Sequence, residues 1–348
     1  MPTEALTPGV TIANRYTIDR EIGRGSFGVV YLAHDAHTRE ERAIKVLLPW
    51  AACNEQLRHR LRREARLAGN LHGPHAVRIY EAGETEAGDV FLSMEYLRGE
   101  ELNLILRREG PFPPDRVRRI AEQVLAALDE AHRLGVIHRD LKPNNVFLCS
   151  GEGGEFVKVF DFGIAKVTGD GQLMATAKLS VSGGVMGTPV YMSPEQCRGE
   201  ELTPAADFYS LGIVLYELLT RRVPFEDDNP VRVLMMHNHD PVPPLPEGIA
   251  DTPLGRAIMR SLAKEPGQRF RSAAEFLDAL AGREVPLPSA TPSPAIAESG
   301  KPAPTAETEP SLDEPEPARR SGFSLLMIGG VVVVIIVAAA AAYFALNR

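Results

Sequence analysis

The pattern of apolar and polar positions divides the chain into a strand-like first part, a helix-rich middle and a tail of different character. From Tyr16, Ile18 and Ile22 lead into a glycine run. Val29-Val30-Tyr31-Leu32-Ala33 follows, a β-branched stretch suited to a pleated surface. Ala43-Ile44-Lys45-Val46-Leu47 predicts a further strand. Val77-Arg78-Ile79-Tyr80 and Val90-Phe91-Leu92-Ser93-Met94 alternate like paired strands, with a polar turn at Ala82–Asp89 between them. The period then changes. Val117, Ile120, Ala121, Val124, Leu125, Leu128 and Ala131 fall on one face of a helix from Asp115, the expected N-cap, to Leu134, with Gly135 ending it. The stretch from Asp207 to Thr220 is apolar nearly all round, which predicts a buried helix. Ser272 to Ala281 predicts the last helix. Between Ile164 and Tyr191 the periodicity is lost among Thr, Ser and Gly, as in a loop.

Composition adds little to that picture but removes some alternatives. The chain has 348 residues, 44% of them hydrophobic and 24% charged, enough to bury a sizeable core. A formal net charge of −8 gives no reason to expect a nucleic-acid partner. Cys53, Cys149 and Cys197 form no C-x-x-C, so neither a zinc site nor a disulfide framework is expected. Met1 to Arg15 is polar and carries no secretory signal; it reads as an N-terminal extension.

The chemistry is concentrated in His138-Arg139-Asp140-Leu141-Lys142-Pro143-Asn144-Asn145. Phosphoryl transfer needs a group to orient a hydroxyl, a cation for the moving charge and an oxygen ligand for Mg²⁺. Asp140, Lys142 and Asn145 supply one of each. An isolated His-Arg-Asp is often a polar surface loop; the full string is far more specific. Gly23-Arg24-Gly25-Ser26-Phe27-Gly28 is weaker, because G-x-G-x-x-G also marks dinucleotide-binding folds and tight turns. A dinucleotide fold needs a helix directly after the glycines. Val29 to Leu32 is strand-like, so the arrangement is that of a flap whose backbone N–H groups close over phosphates. A lone strand lysine such as Lys45 is usually exposed. Fifteen residues after Asn145 comes Phe160-Asp161-Phe162-Gly163, where Asp161 is a candidate metal ligand.

These motifs recur in order from Gly23 to Arg269, and the chain resembles the eukaryotic-like (Hanks-type) bacterial Ser/Thr protein kinases, through strings such as Gly187-Thr188-Pro189-Val190-Tyr191-Met192-Ser193-Pro194-Glu195-Gln196. The resemblance implies an α+β, two-lobed kinase fold over 16–282, with a β-rich lobe at 16–97 and a larger helical lobe at 98–282. It implies a site for ATP and Mg²⁺, with Mn²⁺ as a substitute, and protein substrates phosphorylated on Ser or Thr. Ile22, Gly23, Arg24, Gly25, Ser26, Phe27 and Gly28 then cover the nucleotide. Val30 and Ala43 roof the purine; Met94 is the gatekeeper, with Glu95 and Leu97 meeting adenine through their backbone. Lys45 holds phosphates and is itself held by Glu64, chosen over Glu55, which sits too early in its helix. The basic residues around Glu64 (Arg58, His59, Arg60, Arg62, Arg63 and Arg66) are read as a solvated face, with a docking role as the alternative. Asp140 acts on the substrate hydroxyl, Lys142 on the γ-phosphoryl, and Asn145 and Asp161 on the metal, with Phe162 beneath. Thr188 meets Asp140.

The same likeness makes Ser180 and Ser182 candidate regulatory phosphosites, received by Arg139 and Lys166, and allows self-association for phosphorylation in trans. Asp207 is expected to hold the catalytic loop from below, and Arg269 to pair with Glu195. Asn144 stands where many basophilic kinases carry a glutamate, which weakens a forecast of arginine-directed substrates; Glu101 is left to serve ribose or an upstream arginine. A membrane-anchored pseudokinase acting as scaffold is the alternative class, and the presence of Lys45, Glu64, Asp140, Asn145 and Asp161 argues for the enzyme.

Arg283 to Gly322 is rich in Pro, Ala, Glu and Ser and reads as a disordered linker. Phe323 to Leu346 carries no charge over 24 residues. At 1.5 Å per residue it reaches about 36 Å, enough for one transmembrane helix. Arg319 and Arg320 before it, against Arg348 after it, place the kinase side in the cytoplasm, as does the need for ATP. With only Asn347 and Arg348 beyond, no extracytoplasmic sensor domain is expected.

Overall fold

Strand alternation decides which side of the first sheet Lys45 reaches. The protein is described by a computed structural model over residues 6–25, 28–47, 67–151, 153–162 and 189–285. Strands β1 (Thr11–Ile12), β2 (Tyr16–Gly25), β3 (Gly28–Asp35), β4 (Glu41–Leu47), β5 (Ile79–Glu84) and β6 (Val90–Glu95) form an antiparallel sheet in the order β1-β2-β3-β4-β6-β5. Val29, Tyr31 and Ala33 of β3, Ile44 and Val46 of β4, and Phe91 of β6 pack on one face with Tyr16 and Ile18. The opposite parity, Ala43 and Leu47 with Val90, Leu92 and Met94, joins the main core. Lys45 shares that second parity, so the period of two sends its side chain toward the inter-lobe side. Both faces of the sheet are thus apolar and covered.

The N-terminal extension differs from the expectation. Residues 6–15 belong to this lobe: Thr11 and Ile12 pair with Thr17 and Tyr16, and Leu6 donates its N–H to the Tyr31 hydroxyl. A two-residue strand is too short for its alternation to show. The first expected strand of the β5–β6 pair also moves. Val77 donates to Val159 O and Val159 donates to His75 O, tying this stretch to the second lobe, and β5 begins only at Ile79. It runs on to Glu84, which shortens the expected turn at Ala82–Asp89.

The second lobe starts with β7 (Gly99–Glu101), α1 (Leu102–Glu109) and α2 (Pro114–Arg133). The N-cap of α2 is Pro113, two positions before the expected Asp115, which lies in the first turn instead. An aspartate cap is worth about 1 kcal/mol. Burying each of Val117, Ile120, Val124, Leu125 and Leu128 is worth roughly 1.5–3 kcal/mol, so packing outweighs the cap in placing this helix. Its other end is fixed as expected. Gly135 takes φ +73°, Val136 N–H bonds Ala131 O and Gly135 N–H bonds His132 O, a closed C-terminal motif that delivers the chain into the loop at 136–145.

Strands β8 (Val146–Gly151) and β9 (Gly154–Val159) complete a small sheet, β7-β8-β9. Then come α3 (Pro194–Arg198), α4 (Pro204–Thr220), α5 (Pro230–His239), α6 (Pro253–Ser261) and α7 (Ala273–Leu280). Helix α4 starts three residues before the expected Asp207, with Pro204 in its first turn, where a missing N–H costs nothing. It is buried nearly all round. At Gly212 a Cβ would lie 2.1 Å from Ser261 Oγ, so glycine permits the close approach of α6. Among the described residues no helix is long and apolar enough to cross a membrane; the stretch Phe323–Leu346 and most of the linker lie outside them.

Candidate active site

The loop between α2 and β8 is built on a buried carboxylate. Asp207, at the start of α4 and fully buried, accepts from His138 N (2.8 Å), Arg139 N (2.9 Å) and His132 Nε2 (2.7 Å). Burial pushes its pKa up, but the His132 hydrogen bond and the neighbouring histidines outweigh this and hold it below the usual carboxylate range. The last turn of α2 and the first of α4 therefore grip the same loop.

His138 orders the next residues. Its Nδ1 accepts from Asp140 N (3.3 Å), which leaves Nε2 to donate to Phe160 O (3.0 Å), so the ring is the neutral Nε2–H tautomer. Burial depresses its pKa, which agrees with a neutral ring. The ring packs on Phe162 with centroids 4.8 Å apart. Through it the 136–145 loop and the Phe160–Phe162 stretch become one unit. Two non-glycine residues of this unit sit in the left-handed region, Arg139 at φ +66° and Asp161 at φ +61°. Such strain, of order 1–3 kcal/mol each, persists only where neighbours fix the backbone.

Asp140, Lys142 and Asn145 converge. Lys142 Nζ lies 2.7 Å from Asp140 Oδ2, and Asn145 Nδ2 donates to Asp140 O (2.8 Å) and Oδ2 (3.3 Å). Because its nitrogen is engaged, the oxygen of Asn145 is the atom left for a ligand. Lys45 Nζ meets both oxygens of Asp161, at 2.6 and 2.7 Å. The donors thus available to a divalent cation are a carboxylate and an amide oxygen, hard ligands of the kind Mg²⁺ takes alongside phosphate and water.

The purine-side candidates lie around the same core. Ala43 and Met94 are cross-strand partners in it, and Ile22 and Val30 pack against it. Glu95 ends β6; its carboxylate accepts from Lys158 Nζ (2.8 Å) and Arg78 N (3.3 Å), and half-buried Leu97 follows. Gly23, Gly25 and Gly28 run along the β2–β3 edge, while Arg24 turns back to pair with Glu21. Glu101 accepts from Asn144 Nδ2 (3.2 Å), a partner not anticipated for it. Ser26, Phe27, Glu64, Lys166, Ser180, Ser182 and Thr188 lie outside the described residues.

Arg269 is buried with all five donors used: both oxygens of Glu195 (2.7 and 2.9 Å) and the carbonyls of Ala205, Ala263 and Lys264. Two contributors were not singled out from sequence. His132 braces Asp207 from 75 residues away, and Gln196 Nε2 donates to Arg139 O at 2.8 Å. The Ser193-x-x-Gln196 spacing signals a capping box, which is present, but nothing local marks the bond to Arg139.

The fold and this constellation define a protein kinase. The protein kinase domain model matches residues 16–273, and the chain belongs to that family. It is 41% identical over 276 residues to the serine/threonine-protein kinase pkn3 of Myxococcus xanthus, covering 77% of this chain and 50% of pkn3. Against the serine/threonine-protein kinase PknA of Mycobacterium tuberculosis it is 37% identical over 307 residues, covering 86% of this chain and 68% of PknA. The chain thus spans about half the length of pkn3 and two thirds of PknA. The crystal structure of the Mycobacterium tuberculosis PknI kinase domain superposes with a TM-score of 0.62 at 30% identity, covering 80% of this chain and 99% of that one.

Proposed function

We propose that the chain is an ATP- and Mg²⁺-dependent Ser/Thr protein kinase that transfers the γ-phosphoryl of ATP to protein hydroxyls. The observation carrying this reading is the convergence of Lys142 and Asn145 on Asp140 within one loop, over the Asp207 support. Asp140 accepts the proton of the attacking hydroxyl. Lys142, already paired with that carboxylate, is placed to spread the charge that develops on the transferring group. Lys45 holds the phosphates of the nucleotide, and Asn145 and Asp161 hold the metal. When bound, the cation neutralises charge on the β- and γ-oxygens.

The finer parts of the reading rest on sequence. Ser180 and Ser182 are the proposed phosphosites that switch the enzyme, with Arg139 and Lys166 receiving the phosphate. Phe323–Leu346 is the proposed single-pass anchor, which leaves the kinase domain in the cytoplasm among membrane-proximal substrates and allows two copies to phosphorylate each other. The full chain incubated with labelled ATP, Mg²⁺ and a protein acceptor should label Ser or Thr, and Asp140→Asn and Lys45→Met should not. Labelling by wild type no greater than by Asp140→Asn would leave the scaffold reading standing instead.

A further inference from the structure

The peptide unit between Arg139 and Asp140 is held at both ends. Its N–H, on Asp140, bonds His138 Nδ1, and its carbonyl, on Arg139, accepts from Gln196 Nε2 at 2.8 Å. The preceding peptide is pinned by Asp207 through Arg139 N. Arg139 itself is at φ +66°, a conformation that a residue with a side chain leaves unless its neighbours over-determine it. Two of these holds come from outside the loop: Asp207 belongs to α4, while Gln196 belongs to the short helix α3 that comes first after residues 163–188.

That donor is itself firmly seated. The oxygen of the Gln196 side chain accepts from Ser193 N (2.9 Å) while Ser193 Oγ accepts from Gln196 N (3.3 Å), so the amide cannot rotate without breaking the cap. Helix α3 has five residues and would not persist alone. Its neighbour Glu195 is locked to buried Arg269, and Tyr191 is fixed to α4 by Ser210 Oγ on its carbonyl (2.8 Å) and by its hydroxyl on Glu217 (2.6 Å). A rigid support therefore stands behind one side-chain N–H.

We propose that Gln196 is a positioning residue for phosphoryl transfer: it fixes the Arg139–Asp140 peptide and so the direction of the Asp140 carboxylate, making catalysis depend on the seating of residues 191–196. This rests on the kinase reading above. The chemistry requires a donor at this position. A carboxylate satisfies the capping box equally well, because Ser193 N needs only an acceptor, but it confronts Arg139 O with a second acceptor.

The test uses full-length Gln196→Glu and Ser193→Ala beside wild type and Asp140→Asn. Gln196→Glu should lose about 10- to 100-fold in kcat, the range that a misdirected catalytic group costs. Its KM for ATP and its Tm should stay close to wild type, since no nucleotide contact is touched and the cap survives. Ser193→Ala weakens the cap but keeps the Gln196–Arg139 bond, so it should lower Tm and leave kcat within about threefold. Gln196→Glu with wild-type kcat, or with kcat and Tm falling together as in a merely structural lesion, overturns the proposal. Wild type no more active than Asp140→Asn would instead bring down the kinase reading on which it rests.

Discussion

Lys45 and Asp161 hold each other: the ammonium of one lies 2.6 Å from the carboxylate of the other, across the two lobes, with side-chain exposures of 10% and 19%. On the proposed reading one meets phosphate and the other a divalent cation. Nucleotide binding is then an exchange of partners, in which each charge trades its protein counter-ion for a ligand of the same sign.

That exchange has a measurable consequence. Lys45→Met leaves a largely buried carboxylate without its cation, a loss of about 1–3 kcal/mol. In the variant Mg²⁺ no longer competes with a lysine for Asp161. Millimolar Mg²⁺ should therefore raise the Tm of Lys45→Met more than that of wild type, read by thermal melting without nucleotide. Equal shifts would remove Asp161 from the metal site.

Arg269 and Glu195 make a different forecast, because both are buried and the guanidinium has no unused donor. Arg269→Met strands a carboxylate in the core at a cost of roughly 3–5 kcal/mol. For a domain of this size that lowers Tm by roughly 10 °C. The exposed Arg271–Glu275 pair is the control. Arg271→Ala should cost less than about 1 kcal/mol. Calorimetry on the full chain that ranked the two substitutions equally would contradict the buried-pair argument.

What is local in this fold is legible in the sequence. The near-continuous apolar runs at 29–33, 43–47 and 90–94 mark strands because the sheet buries both faces, and the helical period marks α2 because one face meets the core. Asp140, Lys142 and Asn145 stand out because one short loop carries all three. Long-range bonds that no family motif names leave no such trace. Neither His132, 75 residues from Asp207, nor Gln196, 57 residues from Arg139, lies in a pattern that names its partner. The helix starts at Pro114 and Pro204 differ from the expected Asp115 and Asp207, because packing and a proline at N1 outweigh an aspartate as the start signal.

Buried histidines set the acid limit. His138 and His237 both have pKa values depressed by burial, His237 to about 4, with Tyr209 hydroxyl on its Nδ1. Below pH 6.5, the ordinary histidine value, the unfolded chain takes up protons that the folded chain refuses. Stability is thus full above that pH and is lost as pH falls toward 4. The His237 contribution should reach about 2 kcal/mol between pH 7 and pH 5. Urea unfolding at the two pH values gives the loss directly, and His237→Phe should shrink it by that amount. An unchanged difference in the variant would assign the acid sensitivity elsewhere.

The glycines of the β2–β3 edge are unequal in this fold, which separates stability from nucleotide binding. A Cβ on Gly28 would lie 2.4 Å from Val46 O, a backbone atom of the adjoining strand that cannot turn aside. A Cβ on Gly25 would meet nothing within 4 Å, and one on Gly23 would only touch Val30 Cβ at 4.0 Å. Neither Gly23 nor Gly25 has a positive φ, so sterics decide the cost there. Gly28→Ala must push β3 away from β4 where Val29 pairs with Val46 and Val30 with Lys45, and so displaces Lys45, the proposed phosphate ligand, as well. It should lower Tm by several degrees and raise the KM for ATP. Gly25→Ala should leave Tm within about 1 °C, in line with a surface change, so any rise in its KM would report close approach of phosphate to that backbone. Thermal melts of both variants beside ATP titrations decide it: a Gly28→Ala protein as stable as wild type would show that the strands separate freely here and that the close packing at Val46 is not what selects glycine.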